Sequence, residues 1–189
     1  MALLGSLLTA DLVSPYAPLY PQLAEIVALS LRVTLTAVAI ATMIGLGIGG
    51  VLAVYRFPGR GATIAILNAL MGLPPVIAGL LVYLLLSNSE PLGVLQLLYT
   101  PTAMIIAQAI LVLPIIASLT CQTSEELFEE YHEQLRSLGA SSADIVRTVL
   151  WDGRYRLITT VLAGLGRAIA EVGAVMIVGG NIDHVPILG

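Results

Sequence analysis

The sequence predicts an all-α protein, a polytopic transmembrane helical bundle of about four spans with one long amphipathic helical loop on the cytoplasmic side. Three observations carry this reading. First, 58% of the 189 residues are hydrophobic and only 11% are charged, with a mean hydropathy of +0.97, which excludes an ordinary soluble domain. Second, the apolar residues fall in four runs, each near the roughly 20 residues that a bilayer crossing needs. Third, the charges gather in an island from about Thr120 to Arg156, where YHEQLRSLGASSADIVRTVLWDG is patterned as helix.

Taken in order, residues 1–25 lack the basic start and the cleavage site of a signal peptide. They read as a retained extra-cytoplasmic segment ahead of a membrane domain over 26–189. The spans run from about Leu31 to Tyr55, Ala62 to Leu86, Leu97 to Leu119, and Leu157 to Val178. Breakers separate the first three: Phe57-Pro58-Gly59-Arg60, then Ser87 through Gly93. In the first span Gly45 and Gly49 have the spacing for close helix contact. Met71-Gly72-Leu73-Pro74-Pro75 interrupts the second span and Pro114 the third. Such breaks survive where protein or a cavity surrounds the freed carbonyls. Two readings of Pro74-Pro75 stand, a gate and a plain kink.

Arginine placement sets the orientation. Arg56 and Arg60 follow the first span, and Arg136, Arg147, Arg154 and Arg156 lie between the third and fourth. The opposite loops hold Asp11, Glu25, Glu90 and Asp183 without a basic residue. The positive-inside rule then puts the N-terminus outside and the island in the cytoplasm.

Within the island Thr123 and Glu126 have the spacing of a capping box, and Gly139 is placed to end the helix. Between them Leu127, Phe128, Tyr131, Leu135 and Leu138 form one apolar face. A second short helix fits Ser142 to Trp151, with Ser141 as its cap and Asp144 three residues on. The result is helix, sharp Gly-Ala-Ser turn, short helix.

Several chemistries are excluded. Every basic side chain is arginine, so neither a Walker A phosphate loop nor Schiff-base chemistry is available. Cys121 is the single cysteine, which rules out an internal disulfide or a cysteine metal cluster. His132-Glu133 is not a metal motif, because Arg136 stands where a zincin has its second histidine. His184 has no evident ligand partners. No nucleophile with a base lies within a span, so the chain does not read as an enzyme.

Charges inside the fourth span need partners or water, since each ionised group at that depth costs about 2.5–3.5 kcal/mol. Arg167 and Glu171, four residues apart, share a helix face. They form either a mutually neutralising pair or a polar lining for an anion path. Asn181, after the last span, either caps the helix or faces an outer gate.

The island resembles the coupling loop of ABC importer permeases: Glu-Ala-Ala, three residues, Gly, nine residues, Ile, one residue, Leu-Pro. Glu133, Gly139 and Val149 occupy the Glu, Gly and Ile positions. Gln134 and Leu135 replace the alanines, and Trp151-Asp152 replaces Leu-Pro. Across about Ile26 to His184, NALMGLPPVIAGLLVYLLLSNSEPLG, LLYTPTAMIIAQAIL and GRAIAEVGAVMIVGGNIDH are similar to the molybdate, sulfate and tungstate permeases, with the tungstate type nearest.

That resemblance implies a permease subunit of a prokaryotic cytoplasmic (inner) membrane importer for an oxyanion, tungstate first, with molybdate or sulfate as the alternative. It implies a homodimer, two ATPase subunits carrying ATP and Mg, an extra-cytoplasmic solute-binding protein, no cofactor on this chain and no nucleic acid. The ATPase contact would be Glu133, Gly139, Ala140, Ser141, Asp144 and Ile145, with Glu133 bracing the turn. Pro74, Pro75, Arg167, Glu171 and Asn181 would belong to the translocation path or gate. The family continues past His184 with a fifth span, so the ending Val185-Pro186-Ile187-Leu188-Gly189 implies a truncated C-terminus. The reading of a different class is a small channel or scaffold not driven by ATP.

Overall fold

In a computed structural model of the chain, residues 19–86 and 100–171 are described, and they form helices and turns without a strand. The helices are α1 (Leu19–Val54), α2 (Arg60–Met71), α3 (Pro75–Leu86), α4 (Pro101–Ser137), α5 (Ser142–Asp152) and α6 (Arg154–Ala170). The chain divides into two compact units between Val33 and Thr34. Of the first unit only the opening of α1 is described, with Ile26, Val27 and Leu31 exposed. The second unit contains the apolar clusters and the site described below. The expected segment over residues 1–25, the loop from Ser87 to Gly93 and the chain after Glu171 lie largely or wholly outside the described residues.

Two helical stretches are long and apolar enough to cross a membrane, Glu25–Val54 and Pro101–Ser137. The expected second span is not one straight helix. Its halves, α2 and α3, meet at 106° and count as a third crossing only if the bent pair is one span. The breaker Gly72-Leu73-Pro74 explains the angle. Gly72 N–H donates to Ala69 O and Leu73 N–H to Leu70 O, closing α2, and Pro75 opens α3, where its missing N–H costs nothing. The break is sharper than a proline kink inside a continuous helix. The expected fourth span is helical through Ala170, in α6, and its remainder to Val178 lies outside the described residues.

Helix α4 is the mast of the fold. Its 37 residues extend about 55 Å at 1.5 Å per residue. Thr100 caps it and Pro101 starts it. Two expectations are corrected here. Pro114 is buried inside α4 and does not end it. Thr123 is not a cap, because α4 runs through it without a break. Ending a helix there would orphan backbone groups on both sides. Instead Thr120, Cys121 and Ser124 are buried in the bundle, and packing keeps the ladder continuous.

Three apolar clusters assemble on α4. Val38 and Ala41 of α1, Val112 and Ile116 of α4, and Ala168 of α6 form one. Val82 of α3 meets Ala103 and Ala107 in another. The third joins Val54, Leu127 and Phe128 to Ile145 and Val149 of α5. Glycine makes the first contact close. A Cβ on Gly45 would stand 2.9 Å from Ile116 Cγ2, and one on Gly164 would stand 2.9 Å from Ile116 Cγ1. The small-residue face expected in the first span is therefore helix-packing surface.

Candidate functional site

The island folds as an elbow between α4 and α5. At the end of α4, Gly139 adopts φ 78°, a left-handed conformation that a side chain would strain. Gly139 N–H donates to Arg136 O at 2.9 Å and Ala140 N–H donates to Leu135 O at 3.0 Å. This is a Schellman pair, which satisfies carbonyls that the helix end would otherwise orphan. One residue later α5 begins with a complete capping box. Asp144 N–H donates to Ser141 Oγ at 3.3 Å, and Ser141 N–H donates to Asp144 Oδ2 at 3.2 Å. The Ser141 hydroxyl also donates to Asp144 Oδ2 at 2.5 Å. These bonds, the hydroxyl's first and the backbone N–H's second, hold the Asp144 carboxyl below its ordinary value.

The elbow is anchored through one face of α5. Ile145 and Val149 are each 1% exposed, set against Val54, Leu127 and Phe128, with Tyr131 and Leu135 alongside. The opposite face of α5 presents Ser142, Ala143, Arg147 and Thr148 to the outside. Of the expected apolar face of the preceding helix, Leu138 departs. It is 83% exposed, because the Schellman turn swings it away from the cluster. At the far end of α5, Gly153 packs so closely that a Cβ would stand 2.8 Å from Leu127 Cδ1. Beyond it the Arg154 guanidinium lies over Trp151 at 5.1 Å and over Tyr155 at 4.6 Å.

The elbow brings together Gly139, Ala140, Ser141 and Asp144. Ile145 belongs to it as the inward anchor and is not a surface residue. Glu133 sits higher on α4, exposed, and its side chain makes no hydrogen bond or ion pair among the described residues. His132 leans on Phe128 with ring centroids 5.2 Å apart.

The candidates for a path or gate are placed separately. Pro74 and Pro75 sit at the α2–α3 bend. Arg167 lies in the last turn of α6, and its buried Nε has no hydrogen-bond partner among the described residues. The helix ends at Ala170, so Glu171 is its C-cap, at φ −97° and ψ 88°, and leaves the helix face expected to carry both charges. Asn181 lies outside the described residues.

Sequence reasoning missed a polar clamp beside the elbow. Arg60 donates from Nε to Leu52 O at 2.6 Å and from Nη2 to Glu125, while Arg56 lies 3.6 Å from the same carboxylate. One acidic side chain of α4 thus ties down the turn between α1 and α2. The Ser118 hydroxyl likewise donates to Asn68 Oδ1, joining α4 to α2. Only the pairing of basic loop residues with an acidic helix hinted at the clamp. Nothing in the sequence pointed to the second bond.

Comparison with known proteins gives the site a context. Residues 41–182 match the family described as "Binding-protein-dependent transport system inner membrane component". The chain is 41% identical over 160 residues to a probable anion ABC transporter permease protein of Haloferax volcanii, covering 85% of this chain and 69% of that protein. It is 42% identical over 162 residues to the tungstate uptake system permease protein TupB of Peptoclostridium acidaminophilum, covering 86% and 71%. The sulfate transport system permease protein CysW of Synechocystis is 34% identical over 161 residues, covering 82% and 58%.

Proposed function

The chain belongs to the family of binding-protein-dependent transport system inner membrane components, and on that premise we propose that it is the translocation subunit of an ABC importer for a tetrahedral oxyanion, with tungstate the first candidate. As an ABC transporter permease it is a multi-pass inner-membrane component without ATPase activity of its own, and its family implies an ATPase and a binding protein as partners. Two copies would enclose the path. ATP and Mg would be held by the paired ATPases below and the anion would be delivered from above. The arginine distribution supports placing the elbow in the cytoplasm.

The observation that carries this reading is the two-sided elbow. One face of α5 is locked to α4 through Ile145 and Val149, while its other face is free. A helix held this way transmits a push on its outer face to the mast α4, and through α4 to every cluster of the bundle. ATP would drive the change of state only by favouring one arrangement of the ATPase pair over the other. A channel or scaffold not driven by ATP needs no such anchored, partner-free face.

Tungstate ranks first because the chain is 42% identical to the tungstate permease and 34% identical to the sulfate permease described above. The test is ATP-dependent uptake by the complex reconstituted with its ATPase and binding protein, comparing tungstate, molybdate and sulfate. Uptake of tungstate in preference to the other two supports the reading, preference for sulfate or molybdate moves the substrate, and ATP-independent flux removes the reading altogether.

A further inference from the structure

The seam between α4 and α6 changes character along its length. Through Val112, Ile116, Gly164 and Ala168 it is apolar and close. Toward the elbow it opens into a groove of about 360 Å³. Gln122, Thr123 and Glu126 of α4 line it, facing Arg156, Thr159 and Thr160 of α6. Gln122, Glu126, Arg156 and Thr159 are exposed, Thr123 is half-buried and Thr160 is buried, so the groove is open to solvent at its edge and closes on Thr160.

Their hydrogen bonding is the telling observation. A helical threonine commonly returns its hydroxyl to a carbonyl one turn back. Thr63 does so to Gly59 O at 3.2 Å and Thr148 to Asp144 O at 2.8 Å. The hydroxyls of Thr123, Thr159 and Thr160 make no hydrogen bond among the described residues, and Thr160 is buried. All three residues line the one groove. At its edge Arg156 Nη1 donates to Glu126 Oε2 at 3.0 Å, in a pair exposed enough to exchange partners.

We propose that this groove, formed by Thr123, Thr159, Thr160, Arg156 and Glu126, is a release station for the transported tetrahedral oxyanion at the elbow end of the path. The proposal rests on the importer reading above. Hydroxyl donors and a guanidinium match the oxygens of such an anion. Glu126 is the reason the station releases. It competes with the anion for Arg156 and repels it, so occupancy is brief. A conduction site must bind well enough to be entered and weakly enough to be left. The general chemistry, an oxyanion held by hydroxyls and arginine, also fits a lipid phosphate, and the test separates the two.

The experiment uses the assembled complex purified in a phosphate-free maltoside detergent, with tungstate as the probe. Equilibrium dialysis reads anion retention without the binding protein, and reconstituted vesicles read maximal uptake. Glu126→Gln is expected to tighten retention about tenfold and to lower maximal uptake, because the released Arg156 now holds the anion. Arg156→Gln and the pair Thr159→Val, Thr160→Val are expected to weaken retention by a similar factor, with Arg156→Lys restoring part of it. Elution volume and melting temperature identify any variant that has simply misfolded, and Arg156→Lys then carries the test.

If the wild-type complex imports tungstate but Glu126→Gln leaves retention and maximal uptake unchanged, the station is overturned and the importer reading stands. If Arg156→Gln instead strips co-purifying phospholipid while tungstate retention in detergent is unaltered, the groove is a headgroup seat and the station is likewise overturned. If the wild-type complex imports no oxyanion, the importer reading fails and takes the station with it.

Discussion

Gly49 of α1 lies against Thr120 of α4 so closely that a Cβ built on the glycine would stand 2.6 Å from Thr120 Cβ. The same atom would stand 2.6 Å from the Ala117 carbonyl oxygen. Neither neighbour is the yielding tip of a long side chain, so relief requires the two helices to move apart. Gly49→Ala is expected to cost about 1–3 kcal/mol, the usual range for overpacking. Gly47→Ala meets nothing within 4 Å and is expected to stay within about 0.5 kcal/mol of the parent. Thermal unfolding of the two variants in one detergent makes the comparison. Equal melting temperatures would show that α1 does not seat on α4 in this way.

The anchored face of α5 gives a second expectation. Ile145→Ala removes a fully buried side chain, and such truncations cost about 2–5 kcal/mol. The loss should appear locally, as faster amide hydrogen exchange through α5 while α4 stays protected. Arg147→Ala, on the exposed face, should leave exchange unchanged. Under the importer reading both variants weaken association with the ATPase, but for different reasons: Ile145→Ala loosens the helix, and Arg147→Ala alters its contact surface. Unchanged exchange in Ile145→Ala would mean that α5 is not docked through this residue.

The left-handed Gly139 is a third test point. Any L-residue with a Cβ pays to hold φ near 78°, about 1–2 kcal/mol for alanine and less for asparagine. No neighbour lies within 4 Å of a Cβ there, so the penalty is purely one of backbone conformation. Gly139→Ala should therefore destabilise the turn more than Gly139→Asn, read as exchange at the Ala140 amide, which the Schellman bond protects. Identical exchange in both variants would rule out the left-handed turn.

The elbow was legible in the sequence because its chemistry is local. Gly139 ends a helix by its own conformational freedom, and Ser141 with Asp144 starts one by bonds across three residues. The false capping box at Thr123 and Glu126 shows the limit of that logic. The local signature was present, but burial of Thr120, Cys121 and Ser124 carried the helix straight through. Pro74-Pro75 announced a break without its angle, since a breaker stops a helix and says nothing about where the next one points. The Arg60–Glu125 clamp spans 65 residues of sequence, and no periodicity connects its ends. The four-residue spacing from Arg167 to Glu171 puts both on one face only inside a helix, and this one ends at Ala170 with Glu171 as its C-cap.

Asp144 supplies the pH test of the capping box. Its carboxyl sits below the ordinary value of 3.8, chiefly through the Ser141 hydroxyl, then through the Ser141 N–H, with burial opposing and Arg147 adding a smaller push in the same direction. The fold therefore favours the ionised form. Its contribution is complete above the ordinary value and is lost as pH falls through the lowered one. Between neutrality and that range the first turn of α5 should not change, and below it the cap should fray. The carbon-13 shift of the Asp144 carboxyl, followed against pH, reads the group directly. The midpoint should lie under 3.8 in the parent. It should rise toward that value in Ser141→Ala without reaching it, because the backbone N–H still donates. Asp144→Asn, which cannot titrate, should remove the acid-dependent change from the Ser141 amide signal. A parent midpoint at or above the ordinary value would mean that the reciprocal bonds between Ser141 and Asp144 do not form.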